Sequence, residues 1–192
     1  MKKAVFLDRD GTINNEVGYL SSISDILIFD GVISSLKKLK DQGFLNLIIT
    51  NQSGIARGYF TESDLQSIHE EFNKQLNHQG TALIDEFFYS PYHVDGIIKE
   101  YTKECNTRKP GTGMIEQAVK KYNVDIENSF FIGDSLVDMQ CALNAGLKKI
   151  LVKTGYGLQT FEQCKEKNIF IDCFADTFQD AVNFIISQNK QN

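Results

Sequence analysis

Apolar residues along this chain recur with two different spacings, and the spacing switches repeatedly. Short apolar runs rich in β-branched and aromatic residues fall at positions 4–7, 44–49, 86–89, 130–132 and 150–152, with a further one at 169–171. Runs of this kind read as buried strands. Between them the apolar positions return every three or four residues. Val32, Ile33, Leu36 and Leu39 form one stripe, and Leu65, Ile68, Phe72 and Leu76 a second. Ile115, Ala118, Val119 and Tyr122 form a third, Met139, Ala142 and Leu143 a fourth, and Phe178, Ala181, Val182, Ile185 and Ile186 the last. Such spacing paints one face of a helix. Gly43, Gly80 and Gly146 mark the ends of the first, second and fourth stripes, and Thr61-Glu62-Ser63-Asp64 has the form of a cap opening the second.

Alternating strands and helices predict an α/β fold, a doubly wound parallel sheet with helices on both faces. Sheets of this type hold ligands in the crevice beyond the carboxyl ends of their strands. Two insertions, residues 14–29 after the first strand and 91–109 after the third, leave such ends and so should border the crevice. Neither is long enough for a separate cap domain, so residues 1–192 read as a single domain.

Composition narrows the partners. The net charge is −5 with no basic block, so nothing global attracts nucleic acid, and an anionic substrate would be held by a local cluster of cations. No stretch approaches the roughly 20 apolar residues of a membrane span, and the run behind Met1-Lys2-Lys3 is too short for a signal segment. A cytoplasmic protein without a membrane partner, and a monomer, is expected. Cys105, Cys141, Cys164 and Cys173 show neither CxxC spacing nor a disulfide framework and read as reduced thiols.

The strand ends carry the candidate chemistry. Asp8-Arg9-Asp10-Gly11-Thr12 follows the first strand. Residues two apart on a strand point the same way, roughly 6.5–7 Å apart, close enough to serve one metal and one phosphate. Thr50-Asn51-Gln52-Ser53-Gly54 follows the second strand and offers a hydroxyl and turn amides. Arg108-Lys109 follows the second insertion; a lysine suits a phosphoryl group as a point charge, and an arginine can grip a further anion. Gly133-Asp134-Ser135-Leu136-Val137-Asp138 follows the fourth strand, and Asp134 could complete an oxygen-rich Mg²⁺ site. Each cluster alone reads as an ordinary solvated turn. Four of them, each behind a β-rich run, read as one site.

The order DxDGT, strand-end Thr, Lys-Pro and Gly-Asp-x-x-x-Asp resembles the haloacid dehalogenase (HAD) superfamily of phosphotransferases. Within it, FLDRDGTIN, GYL, TNQSGIARGYF, RKPGTGM and GDSLVDM resemble the heptose-bisphosphate phosphatases, relatives of histidinol phosphatase. The resemblance implies a Rossmann-like HAD core and a Mg²⁺-dependent phosphatase that takes the C7 phosphate from a heptose 1,7-bisphosphate through a phosphoaspartyl intermediate. The remaining heptose 1-phosphate would serve surface polysaccharide, or lipopolysaccharide, synthesis. It implies Asp8 as nucleophile and Asp10 as general acid, then base, with Mg²⁺ held by Asp8, the Asp10 backbone carbonyl and Asp134. Thr50 and Lys109 would steady the phosphoryl group. Glu16, Val17, Gly18, Tyr19, Asn51, Gln52, Ser53 and Arg108 would contact the sugar or its second phosphate. Asp138, with Ser135, would act behind these, through water or by orienting Lys109.

The related enzymes often carry a zinc loop of the form C-x-H and C-x-C. The corresponding residues here are Ser90, Tyr92, Cys105 and Thr107, with His93 one position out of register. Two candidate ligands cannot close a four-coordinate site, so no zinc is expected, and packing by Tyr89, Tyr92 and Tyr101 should hold the loop instead. His69 and His78 read as surface residues of the second helix, and His93 as a residue over the crevice. Competing readings are a histidinol-phosphate phosphatase, a promiscuous sugar-phosphate phosphatase, and a receiver-like phosphoacceptor switch. The last places its acceptor on the third strand, where this chain has none.

Overall fold

The computed structural model describes residues 1–189. In chain order its elements are β1 (Ala4–Leu7), α1 (Val32–Asp41), β2 (Leu45–Asn51), α2 (Glu62–Gln75), β3 (Asn77–His78), β4 (Thr81–Ala82), β5 (Glu86–Ser90) and α3 (Gly113–Tyr122). β6 (Phe130–Gly133), α4 (Leu136–Asn144), β7 (Lys148–Val152), α5 (Gly157–Glu166), β8 (Cys173–Ala175) and α6 (Phe178–Asn189) follow. Six strands form one parallel sheet in the order β5-β2-β1-β6-β7-β8, and β3 and β4 make a small antiparallel hairpin apart from it.

The apolar pattern explains the layering. Every residue of β1 is buried, so both sheet faces are covered. Val5 and Leu7 pack with Leu36 and Leu39 of α1, Ile68 and Phe72 of α2, and Val182 and Ile185 of α6. Ala4 and Phe6 point the other way, toward Met114 and Ile115 of α3 and Cys141 and Ala142 of α4. The doubly wound α/β sheet is therefore present as the alternation predicts.

Topology places the crevice. The chain builds outward from β1 through β2 to β5, then returns to the opposite side of β1 with β6. Strand order reverses between β1 and β6, and at such a switch point the loops part and leave a cleft. Asp8 leaves β1 there, its amide donating to the Ile132 carbonyl of β6 at 2.9 Å.

Three elements differ from the sequence reading. The sixth strand is Cys173–Ala175 rather than 169–171, because Ile169 is used to pack under Leu151 and Cys164 beside α5. Helix α5 had no apolar stripe to betray it: it buries only Gly157, Thr160 and Cys164 and leaves Leu158 exposed. The second stripe ends as a helix at Gln75, and Gly80, rather than closing that helix, sits with Gln79 at positive φ in the turn of the β3–β4 hairpin that follows it. No helix among the described residues is long and apolar enough to cross a membrane.

Candidate active site

The strand of β1 stops at Leu7, so strand alternation does not carry Asp8 and Asp10 into the cleft together. A turn does. The Arg9 carbonyl accepts from the amides of Thr12, Ile13 and Asn14 at 3.3, 2.9 and 3.3 Å, and Gly11 sits at φ +81°. Both carboxylates consequently line one cleft of about 160 Å³ beyond the sheet, with Glu16, Gly18, Tyr19, Thr50, Asn51, Gln52, Ser53, Lys109, Asp134 and Ser135.

Lys109 anchors the floor. Its buried ammonium lies 2.7 Å from Asp8 Oδ1 and 2.6 Å from Asp138 Oδ1. Burial works against that charge, but Asp138 and Asp8 outweigh it and hold the ammonium ionised beyond its ordinary range. Asp138 in turn is fixed by the start of α4, its Oδ2 accepting from the Ser135 amide at 3.0 Å and the Ser135 hydroxyl at 2.5 Å. The capping box that begins α4 thus aims the lysine at the nucleophile position.

One ammonium does not balance the carboxylates. Oxygens of Asp8, Asp134 and Asp138 lie within 4.8 Å of one another. Burial and the charge of Asp138 push the Asp8 carboxyl up to about 7, while burial and the charge of Asp8 push Asp134 up to about 8. Lys109, shared between Asp8 and Asp138, does not offset all three carboxylates, and it leaves Asp8 and Asp134 as hard oxygen donors that a further cation would ionise fully. That donor set fits Mg²⁺.

Asp134 is gripped on three sides. Its Oδ2 accepts from the Tyr156 amide at 2.9 Å, and a Cβ at Gly11 or Gly155 would come within 2.4 or 2.0 Å of that oxygen. Thr154 Oγ1 ties the two loops by donating to the Gly11 carbonyl at 2.6 Å. The Thr154-Gly155-Tyr156 turn after β7 is a fifth polar strand end that the sequence reading passed over, although a threonine and glycine behind an apolar run were the available signal.

Arg9 was also passed over, inside the motif that named its neighbours. Its side chain is 0% exposed, and its guanidinium donates to Asp10 Oδ2 from Nη2 at 2.7 Å and from Nε at 3.1 Å. Asn14 Nδ2 donates to Asp10 Oδ1 at 3.0 Å, and Gln52 Nε2 to Oδ2 at 3.1 Å. Burial opposes ionisation of Asp10, but the Arg9 charge and these hydrogen bonds prevail and hold its carboxyl below the usual carboxylate range. His69 belongs to the same group and corrects the surface assignment. It is buried, stacked on Phe87 at 4.4 Å, with Nε2 at 3.4 Å from Arg9 Nη1. Burial and the Arg9 charge push its pKa down to about 3, so the ring is neutral. The ring falls on the buried side of α2 because Leu65, Ile68 and Phe72 carry that side under the sheet. His78 lies half-buried in the β3–β4 hairpin, not on α2.

Other sequence candidates are placed less directly. Asn51 brackets the Lys109 backbone, its Oδ1 accepting from the Lys109 amide at 3.0 Å and its Nδ2 donating to the Lys109 carbonyl at 3.1 Å. Gln52 spends its amide on Asp10 and Thr50 Oγ1. Glu16 Oε1 accepts from the Gly18 amide at 2.5 Å, and burial pushes its carboxyl up. Val17 is exposed and is not among the cleft-lining residues. Arg108 lines the adjoining groove with Lys103, Cys105 and Asn106 rather than the cleft floor, and donates to the Tyr92 carbonyl at 3.2 Å. His93 also lies off the cleft floor, with Nε2 at 3.2 Å from Arg57 Nη2.

At the positions of the zinc loop, Ser90 Oγ lies 3.2 Å from Thr107 Oγ1, which lies 3.2 Å from Cys105 Sγ. Tyr89 and Tyr101 donate to the two oxygens of Glu62 at 3.0 and 2.9 Å, and Tyr92 packs 6.1 Å from Tyr101. All four cysteines are free thiols.

This geometry has known counterparts. The model of the HAD-hydrolase-like family matches residues 106–181. The D-glycero-beta-D-manno-heptose-1,7-bisphosphate 7-phosphatase of Haemophilus ducreyi is 42% identical over 91% of this chain and 96% of its own. The chain belongs to the heptose-bisphosphate phosphatase family. The D-glycero-alpha-D-manno-heptose-1,7-bisphosphate 7-phosphatase of Photorhabdus laumondii is 45% identical over 80% of this chain and 84% of its own. A crystal structure of the D,D-heptose 1,7-bisphosphate phosphatase of B. bronchiseptica, complexed with magnesium and phosphate, superposes with a TM-score of 0.85 at 28% identity, covering 97% of this chain and 99% of that one.

Proposed function

We propose that this protein hydrolyses the 7-phosphate of D-glycero-D-manno-heptose 1,7-bisphosphate, leaving heptose 1-phosphate. The observation that carries the reading is the buried ion-pair chain Asp8–Lys109–Asp138 at the foot of a cleft that also holds Asp10, Thr50 and Asp134.

An Asp8 oxygen attacks phosphorus while the bond from phosphorus to the C7 oxygen breaks, and Asp10, ionised in the free cleft, passes to that oxygen a proton that the substrate phosphate brings in as its monoanion. A water then attacks the phosphoaspartate, Asp10 takes its proton, and the electron pair of the cleaved P–O bond returns to Asp8. Mg²⁺, held by Asp8, Asp134 and the Asp10 carbonyl, would supply the positive charge that lets two anions approach. Lys109 offsets charge on the transferring group from the other side. Thr50 Oγ1 already accepts a hydrogen bond from Gln52, so its own proton is left for a phosphoryl oxygen. Glu16, Gly18, Tyr19 and Ser53 line the path of the sugar, and Arg108 in the adjoining groove suits its 1-phosphate.

Phosphate release with Mg²⁺ should give a kcat/KM at least about tenfold higher on one anomer of heptose 1,7-bisphosphate than on histidinol phosphate or fructose 1,6-bisphosphate. Asp8→Asn should lose at least about a thousandfold in kcat with its circular dichroism unchanged. Faster turnover of histidinol phosphate would replace the substrate assignment, and an active Asp8→Asn would remove the nucleophile.

A further inference from the structure

Asp10 touches the cleft, and Arg9 does not. The Asp10 side chain is 19% exposed and the Arg9 side chain 0%. A fully buried guanidinium is costly unless its charge and donors are met, and apolar packing would fill the same volume more cheaply. What meets it here points in one direction. The Nε and Nη2 edge closes on both oxygens of Asp10, at 3.2 Å to Oδ1 and 2.7 Å to Oδ2. Nη1 faces His69 Nε2 at 3.4 Å, and the guanidinium carbon lies 5.4 Å from the centre of the Phe72 ring. His69 is itself pinned between Phe87, stacked at 4.4 Å, and the edge of Tyr89 at 5.9 Å. The fork therefore cannot turn without unstacking a helix α2 histidine from a β5 phenylalanine.

We propose that Arg9 and His69 are positioning residues that fix the orientation of the Asp10 carboxylate for the attack of water on the phosphoaspartate. The inference rests on the acid–base role given to Asp10 above. Neither residue is among those that line the cleft. Arg9 holds the carboxylate by two parallel donors, His69 stops the guanidinium from rotating about its own axis, and Asn14 and Gln52 complete the hold on the two oxygens. In the step concerned, water oxygen bonds to phosphorus, the P–O bond to Asp8 breaks with its electron pair returning to Asp8, and the water proton passes to Asp10. A carboxylate free to swing would leave the first half of the reaction available to any phosphate ester whose leaving group departs without a proton, and would slow the second half.

The test follows phosphoprotein trapped by acid quench during turnover of 4-nitrophenyl phosphate, with heptose 1,7-bisphosphate in parallel. Arg9→Met should lower kcat about 100-fold and leave most of the enzyme phosphorylated at steady state with the aryl ester. Arg9→Lys should fall between, since it restores charge without the fork. Should Arg9→Met not fold, His69→Leu carries the test: it should raise the trapped fraction several-fold, and His69→Gln, which keeps an acceptor for Nη1, should restore it. A loss of kcat without trapped phosphoprotein, or equal behaviour of His69→Leu and His69→Gln, overturns the proposal. Asp10→Asn separates it from the reading beneath. If Asp10→Asn traps phosphoprotein and the Arg9 and His69 variants do not, only the positioning role falls; if Asp10→Asn does not trap it, the base assignment falls as well.

Discussion

Gly155 and Gly11 stand against Asp134, and both adopt positive φ, +56° and +81°. Two separate constraints therefore meet at one position. An alanine in the left-handed region costs about 1–2 kcal/mol, and at Gly155 its methyl would also displace the Asp134 carboxylate, the proposed metal ligand. Gly155→Ala should lower Tm by a few degrees and raise the Mg²⁺ concentration needed for half-maximal phosphate release by at least about tenfold. Thermal melts and a Mg²⁺ titration check this, and a lowered Tm with an unchanged Mg²⁺ requirement would mean that Asp134 does not serve the metal. Gly11 was legible beside its aspartates because a turn so close to a strand needs it. Gly155 was not, since its partner lies 21 residues back in the sequence and only the sheet brings them together. Arg9 escaped for a different reason. Charged residues are rarely buried whole, so an arginine between two aspartates reads as a solvated partner.

Strands and amphipathic helices were legible as elements because burial on one face or two leaves a period in the sequence. Helix α5 and the β3–β4 hairpin leave none, the first because it covers little apolar surface and the second because two-residue strands have no period at all. The insertion of residues 91–109 is held differently again. Ile97 and Ile98 donate their amides to the Ala56 carbonyl at 2.8 and 3.0 Å, and Glu62, the first residue of α2, accepts from Tyr89 and Tyr101. Those bonds push both phenols up to about 12, burial adding the larger share at Tyr89. Glu62→Ala should leave the two hydroxyls without their shared acceptor, cost about 1–2 kcal/mol, and loosen the loop that carries Arg108. The expected signature is a several-fold rise in KM for the bisphosphate with kcat within about twofold, because Lys109, next to Arg108, is held independently, by Asn51 at its backbone and by Asp8 and Asp138 at its ammonium. Equal losses in kcat and KM would show that the insertion also shapes the floor of the cleft.

At the scale of the molecule the site is a charge imbalance that the fold tolerates. Asp8 and Asp134 hold their protons to about 7 and 8, against an ordinary carboxyl value of 3.8. Without metal the folded chain thus binds more protons than the unfolded chain above pH 4, and its stability must fall as pH rises toward 8. His69 acts in the opposite sense. Its pKa near 3 means that the folded state binds fewer protons than the unfolded state up to about 6.5, which offsets one carboxyl below that pH. Asp10, held low, titrates beneath the window. The decline should accordingly be steepest around pH 6.5–7, where His69 no longer opposes it and both carboxyls still hold protons in the folded state, and should level off beyond pH 8. On the proposed reading Mg²⁺ binds both carboxylates ionised, so its stabilisation should grow between pH 6.5 and 8, reaching about 2.7 kcal/mol at a hundred times Kd. For a chain of this size that is a Tm difference of about 5–10 °C between Mg²⁺ and EDTA at pH 8, shrinking toward pH 6. Melts across that range decide the matter. A metal-free Tm that climbs from pH 6.5 to 8, or one indifferent to Mg²⁺ at pH 8, would mean that the acidic floor is neutralised from within the chain and that Lys109 alone balances it.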